Sequence, residues 1–204
     1  MKSDHVKAVV FDMGGVFVQT KDKNPRTRLA QRFGLSYDEL SQLVFKSETA
    51  QLATVGVIDE SAHSDFIAKH FDLNETELVK FWENFWGGDQ LDQELFKFSK
   101  TLKSDYALGL LSNAWNGARD YLTRKFGFLD IFDISVFSAE VLMAKPDPQF
   151  YQWMLDALQV DPGETIFVDD FIENIQAAQE LGFKTVHFTQ TSQAIEEIKD
   201  ILGT

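Results

Sequence analysis

Ala8-Val9-Val10-Phe11-Asp12-Met13-Gly14-Gly15-Val16 decides how the rest of the chain is read. Its apolar, β-branched run is too short for a typical helix and is halted by an acid and two glycines, which predicts a fully buried parallel strand running into a loop. Asp12 then stands where the strand stops. In open α/β sheets ligands bind outside the carboxyl ends of the strands, so an acid at that place is a candidate reactive group. It can also be an ordinary turn residue, because Asp bonds its own backbone in turns. The stretch alone leaves both readings open.

Downstream, the pattern changes twice. Residues 26–33, 36–46, 48–54, 59–71 and 75–85 read as amphipathic helices. Ser36, Asp59 and Asn74 stand at N-cap positions, each followed by first-turn acids. These helices make an insertion of about sixty residues, within the size range of a small domain. Its last segment, Phe81-Trp82-Glu83-Asn84-Phe85-Trp86, is read as packing rather than as a ligand box, because aromatics at helical spacing bury large areas. Gly87-Gly88 then reads as a hinge or return linker.

From residue 91 helices and strands alternate: helix to 102, strand 106–111, helix 115–126, weaker strand 131–137, helix 149–158, strand 165–168, helix 173–181, strand 184–188 and helix 192–202. Such alternation predicts an α/β doubly wound parallel sheet, and the insertion adds a small all-helical cap domain. The expected division is 1–18 with 89–204 as the core and 19–88 as the cap.

Composition sets limits on function. A chain of 204 residues with 44% apolar and 25% charged residues has the make-up of a soluble globular protein. The absence of cysteine rules out disulfides, thiolate metal sites and a Cys nucleophile. A net charge of −13 argues against nucleic acid or an anionic membrane as the main partner. The start lacks a signal-like apolar run and no later run is long enough to span a bilayer, so a cytoplasmic protein, monomer or homodimer, is expected. His5, His63, His70 and His187 show no ligand spacing and read as surface or packing residues.

Three strand ends carry polar groups: Asp12, Ser112 with Asn113, and Asp169 with Asp170. If these strands are neighbours, three carboxylates meet in one crevice, where they cannot all remain ionised without a counter-charge. A hard divalent cation such as Mg²⁺ answers that need, and Lys145 offers a second positive charge. Ser112 offers a hydroxyl for an anion. Singly, each has a plain alternative: Ser112 caps the next helix, Lys145 is a solvated loop residue, and Asp170 is a first-turn helix acid.

Taken together, Phe11-Asp12-Met13-Gly14-Gly15-Val16, Leu110-Leu111-Ser112-Asn113, Lys145-Pro146-Asp147 and Phe167-Val168-Asp169-Asp170-Phe171-Ile172-Glu173-Asn174 resemble the four signatures of the haloacid dehalogenase-like hydrolase superfamily. Within it the chain is most similar to the group that includes sugar-1-phosphate phosphatases and the phosphatase domain of epoxide hydrolases. The resemblance implies an Mg²⁺-dependent phosphatase acting on a small phosphorylated metabolite, with Asp12 as the nucleophile that becomes an aspartyl-phosphate and Lys145 neutralising it. It also implies that Asp12, the Gly14 carbonyl and Asp170 ligate the metal, with Asp169 reaching it through water. Ser112, Asn113 and Gly15 would hold the phosphoryl oxygens. Asn174 stands where many relatives have another acid.

One position departs from the family. Gly14 occupies the place where most phosphatases of this family carry a second Asp, the proton donor for the leaving group. General acid assistance contributes about 10²–10⁴-fold, so its loss predicts a slow enzyme or one that favours leaving groups needing little protonation, unless a neighbouring residue supplies the proton. Two other readings follow from the same residues: a 2-haloacid dehalogenase-type hydrolase, and a non-catalytic protein that binds a phosphorylated ligand. The insertion is expected to set specificity, with residues 54–58 as the candidate segment.

Overall fold

In the computed structural model, which describes residues 5–204, the run Ala8–Phe11 is the central strand of a five-stranded sheet. The expected leaderless start, Met1 to Asp4, lies outside the described residues. In chain order the elements are β1 (Ala8–Phe11), β2 (Val18–Thr20), α1 (Asn24–Arg32), α2 (Tyr37–Lys46), α3 (Glu48–Thr54), α4 (Glu60–His70), α5 (Glu75–Phe85) and β3 (Asp89–Leu91). There follow α6 (Gln93–Leu102), β4 (Ala107–Ser112), α7 (Ala118–Lys125), β5 (Ile134–Phe137), α8 (Ser138–Val141), α9 (Pro148–Leu158), β6 (Thr165–Asp169), α10 (Ile172–Glu180), β7 (Lys184–His187) and α11 (Thr191–Leu202).

The sheet order is β5-β4-β1-β6-β7, all parallel, so β1 lies between the two strands that end in the other polar groups. Register places Phe11 opposite both Leu110 and Val168. The residues one step beyond, Asp12 and Asp169, therefore emerge side by side at the carboxyl edge, at the point where the chain's progress across the sheet reverses.

Alternation along β1 assigns each face its own core. Val9 and Phe11 pack with Leu95, Leu122 and Ile198 from α6, α7 and α11, whereas Val10 packs with Phe150, Met154 and Ile175 from α9 and α10. Both faces are covered by helices, which is why the strand lacks the polar alternation of a half-exposed sheet.

The helical segment carries a third cluster of its own, including Leu40, Val44, Ile67, Phe81 and Phe85. Its helices start where their side chains can cap them: Ser36 and Asn74 form capping boxes with Glu39 and Glu77, and Asp59 accepts from Ser61 N. The aromatics at residues 81–86 are packing residues, as read: Phe81 and Phe85 are buried and Trp82 and Trp86 lie against them.

A two-stranded antiparallel ribbon, β2 with β3, joins this segment to the sheet. Sequence patterning misses it because three-residue strands carry too little alternation to register. Gly88 is required there, since a Cβ would overlap Asp22 O. Two other boundaries move. The strand expected from 131 begins at Ile134, because Leu129–Ile131 forms a 3-10 turn. The helix expected from 115 begins at Ala118, because Trp115 and Asn116 are bonded to the helical segment instead. No helix among the described residues is long and apolar enough to cross a membrane.

Candidate active site

Asp12 is fixed as soon as β1 ends. Its backbone N–H donates to Val168 O at 2.8 Å, which continues the β1–β6 ladder by one residue and turns the carboxylate to the sheet edge. Only 6% of the residue is exposed. Lys145, arriving from the loop before α9, is equally buried and is therefore no solvated loop residue. Its Nζ donates to Asp12 Oδ1 at 2.7 Å and to Asp169 Oδ2 at 2.6 Å. A buried cation between two carboxylates has exchanged hydration for charge-assisted hydrogen bonds.

Asp169 is completely buried and both oxygens are occupied. Phe171 N donates to Oδ1 at 2.8 Å, and Asn174 Nδ2 lies 3.0 Å from each oxygen. Asn174 thus serves as a donor to Asp169, in the place where an acid would have added a further negative charge. Tyr151, buried beneath, donates to Asn174 O at 3.0 Å and holds that turn of α10.

Asp170 differs from its neighbour. Its Oδ1 is buried and has no hydrogen-bond partner among the described residues. Oxygens of Asp12, Asp169 and Asp170 lie within 4.8 Å of one another. Three carboxylates around one ammonium leave the pocket short of positive charge. Burial, against the pull of Lys145 and with the added repulsion of Asp169, pushes the Asp12 carboxyl up to about 7. Burial and the Asp169 charge push Asp170 up to about 6. The same two acids, Asp12 and Asp169, outweigh burial at Lys145 and hold its ammonium above the ordinary lysine range. An orphaned carboxylate oxygen within an all-oxygen donor set fits a hard divalent cation better than a metal that prefers nitrogen or sulfur.

The glycine loop behaves in two ways. Gly15 has φ +81° and a Cβ there would overlap Asp170 Oδ2, so no side chain fits. Its N–H donates to Val18 O at 2.9 Å. Gly14 is the opposite case, since a Cβ at that position would meet nothing within 4 Å. The space beside Asp12 that a second acid would fill is open.

Ser112 is buried at the end of β4, beside β1 and on the same sheet edge as Asp12. It does not cap α7, which has no side-chain cap. The Asn113 side chain holds the backbone of the lysine: its Nδ2 donates to Lys145 O and its Oδ1 accepts from Lys145 N, both at 2.8 Å. Nothing in the local sequence signals that pairing across 32 residues. His187, read as ordinary packing, has Nε2 3.1 Å from Asp170 O and so borders the acids. Residues 54–58 lie against α8: Thr54 O accepts from Ser138 Oγ at 2.5 Å, and a Cβ on Gly56 would overlap Ala139 O.

Comparison with known proteins agrees with this geometry. A family model described as haloacid dehalogenase-like hydrolase matches residues 6–182. The chain is 39% identical to bifunctional epoxide hydrolase 2 of Sus scrofa over 97% of its own length, although it spans only 39% of that protein. It is 26% identical to the D-ribitol-5-phosphate phosphatase of Bacteroides thetaiotaomicron, covering 97% of this chain and 99% of that one. Among solved structures, a HAD family enzyme from Bacteroides thetaiotaomicron in complex with magnesium and inorganic phosphate superposes with a TM-score of 0.74 at 22% identity, covering 89% of this chain and 93% of that chain, a likeness of fold.

Proposed function

The chain belongs to the haloacid dehalogenase-like hydrolases, and from that membership we propose that it is an Mg²⁺-dependent phosphatase of a small phosphomonoester with Asp12 as its nucleophile. The observation that carries the reading is the charge imbalance: Asp12, Asp169 and Asp170 converge on a single ammonium, with one Asp170 oxygen unpartnered. A carboxylate that attacks carbon in a halide displacement gains nothing from two further acids, which raise its own pKa. A carboxylate that must approach an anionic phosphoryl group requires added positive charge, and the two extra acids would recruit it.

Asp12, the Gly14 carbonyl and Asp170 would hold Mg²⁺, with Asp169 acting through water because its oxygens are already occupied, and the ion would neutralise phosphoryl charge. Lys145 holds Asp12 Oδ1 and orients the carboxylate. Asp12 forms an O–P bond as the P–O bond to the leaving group breaks, and the leaving oxygen departs with that electron pair. Water then attacks the aspartyl-phosphate at phosphorus, releasing phosphate and regenerating Asp12. The Ser112 hydroxyl donates to a phosphoryl oxygen. Residues 19–88 act as the cap that shields these steps from bulk water.

Because Gly14 presents no proton donor and the space above it is open, the preferred substrate has a leaving group that departs with little protonation, such as an anomeric sugar phosphate, an acyl phosphate or an aryl ester. The experiment is release of p-nitrophenol from p-nitrophenyl phosphate, expected to require Mg²⁺, to stop in EDTA and to be lost in Asp12→Asn. Turnover that persists in EDTA, or chloride release from 2-haloacids without Mg²⁺, refutes the proposal. Glucose-1-phosphate should be cleaved faster than glucose-6-phosphate, and the reverse order would exclude the leaving-group argument.

A further inference from the structure

Trp115 lies in the loop that leaves β4, three residues after Ser112, yet its indole is packed in the helical segment. Its ring is 4.7 Å from His63, 5.9 Å from Trp82 and 6.2 Å from Trp86, and Nε1 donates to Ala50 O at 3.3 Å. The residues around it are held in the same direction. Ala114 N donates to Ser138 Oγ at 2.9 Å, the hydroxyl that in turn bonds Thr54 O. Asn116 Nδ2 donates to Asp59 Oδ2 at 2.5 Å, and its Oδ1 accepts from Glu60 N at 3.0 Å. Gly117 N donates to Glu60 Oε2 at 3.0 Å, and a Cβ there would overlap that carboxylate.

Four consecutive residues of a core loop are thus bonded, directly or through Ser138, to α3 and α4 or the residue that caps α4. The loop has little of its own to replace these bonds, since α7 begins without a side-chain cap, and Glu60 adds to the first-turn charge of Asp120 by accepting from Gly117 N. At its other end the same loop presents Asn113, which clamps the Lys145 backbone.

We propose that Trp115 and Asn116 are positioning residues that make the placement of Lys145 on Asp12 conditional on docking of α3 and α4. With those helices seated, the loop holds Asn113 against Lys145. When they lift, the clamp loosens and the ammonium loses its register with the nucleophile. The kinetic consequence rests on the phosphatase reading; the coupling between helices and loop does not.

A charge swap tests it. Asn116→Asp sets a carboxylate against Asp59, and adding Asp59→Asn restores the donor while the amide oxygen introduced by that second change can still cap Ser61 N. Asn116→Asp should lower kcat for p-nitrophenyl phosphate about tenfold with KM within about twofold, and the double variant should recover to within about twofold of wild type, since small misplacements of reacting groups have effects of this size. An unchanged kcat, or a double variant no better than the single one, overturns the proposal. Tryptophan emission supplies a readout independent of turnover. Inorganic phosphate with Mg²⁺ should change the emission of wild type and Trp153→Phe but not of Trp115→Phe. No change in wild type that hydrolyses p-nitrophenyl phosphate, or a change that survives Trp115→Phe, overturns the coupling. A Trp115-dependent signal in a protein that does not hydrolyse p-nitrophenyl phosphate instead refutes the phosphatase reading and leaves the coupling in place.

Discussion

Lys145 and Arg26 are equally buried cations, each 5% exposed, and they are neutralised in opposite ways. Lys145 sits between two carboxylates at 2.7 and 2.6 Å, in a pocket with a third acid nearby. Arg26, at the root of the helical segment, lies 4.0 Å from the centre of the Phe85 ring and 5.2 Å from that of Tyr37. Its Nε donates to Phe85 O at 3.0 Å, Nη1 to Tyr37 Oη at 3.1 Å, and its one carboxylate partner among the described residues, Asp89 on β3, is 3.6 Å away. A guanidinium can be satisfied by ring faces and carbonyls because it is planar and weakly hydrated, whereas a compact ammonium needs full anions. Arg26 therefore leaves its surroundings nearly neutral and serves to anchor the β2–β3 neck. The Lys145 pocket retains excess negative charge, and that excess suits a hard cation.

On this contrast, the two cations should fail differently. Lys145→Met should reduce turnover of p-nitrophenyl phosphate about 10²–10³-fold, the range found when one preorganised charge-stabilising donor is removed. Turnover by that variant within about tenfold of wild type would erase the distinction. Arg26→Met should show the reverse pattern, a loss of about 2–3 kcal/mol in urea unfolding from its broken charged hydrogen bonds, with kcat changed less than about threefold. A kcat loss as large as that of Lys145→Met would show that the neck and the pocket act as one unit.

The smallest effect sharpens the charge argument. Asp12 titrates near 7 in the folded protein without metal, against 3.8 when unconstrained, because burial disfavours its charged form. Between about pH 4 and 7 the folded state therefore holds a proton that the unfolded chain has released, so this group's contribution to stability falls as pH rises through that window. In EDTA, Asp12→Asn should match wild type near pH 4 and gain on it as pH rises to 8. Urea titrations of both proteins at the two pH values measure the difference. A variant that loses ground as pH rises would mean that Asp12 is stabilised, not strained, by its pocket.

Much of this molecule was legible along the chain. The run at residues 8–11 fails as a helix by length and alternates into two cores, so its strand state follows from its own composition. Ser36, Asp59 and Asn74 cap helices through bonds that span three residues or fewer. Asp12, Asp169 and Asp170 could be singled out because strand ends in a parallel sheet share one edge. The β2–β3 ribbon escaped because its pairing joins residues about seventy apart with three positions in each strand.

The roles of Asn113, Asn174 and Gly15 were beyond reach for a related reason. Nothing in the motif around Asn113 shows that its side chain clamps Lys145, because only the approach of residue 145 supplies the partner. Gly15 is confined by Asp170, more than 150 positions away, and Trp115 is drawn out of its own helix by an aromatic cluster that lies before it in the chain. By itself, the sequence determined the strand and helix periods, the caps, the placement of the acids at strand ends and the absence of an acid at residue 14, because these depend on neighbours within a turn or on residue type alone. Only the tertiary structure decided which acid is left unpartnered, which amides are already committed and how the helical segment reaches the loop beside Lys145. Hydrogen-bond satisfaction and burial are properties of groups brought together in space, and no local pattern encodes them.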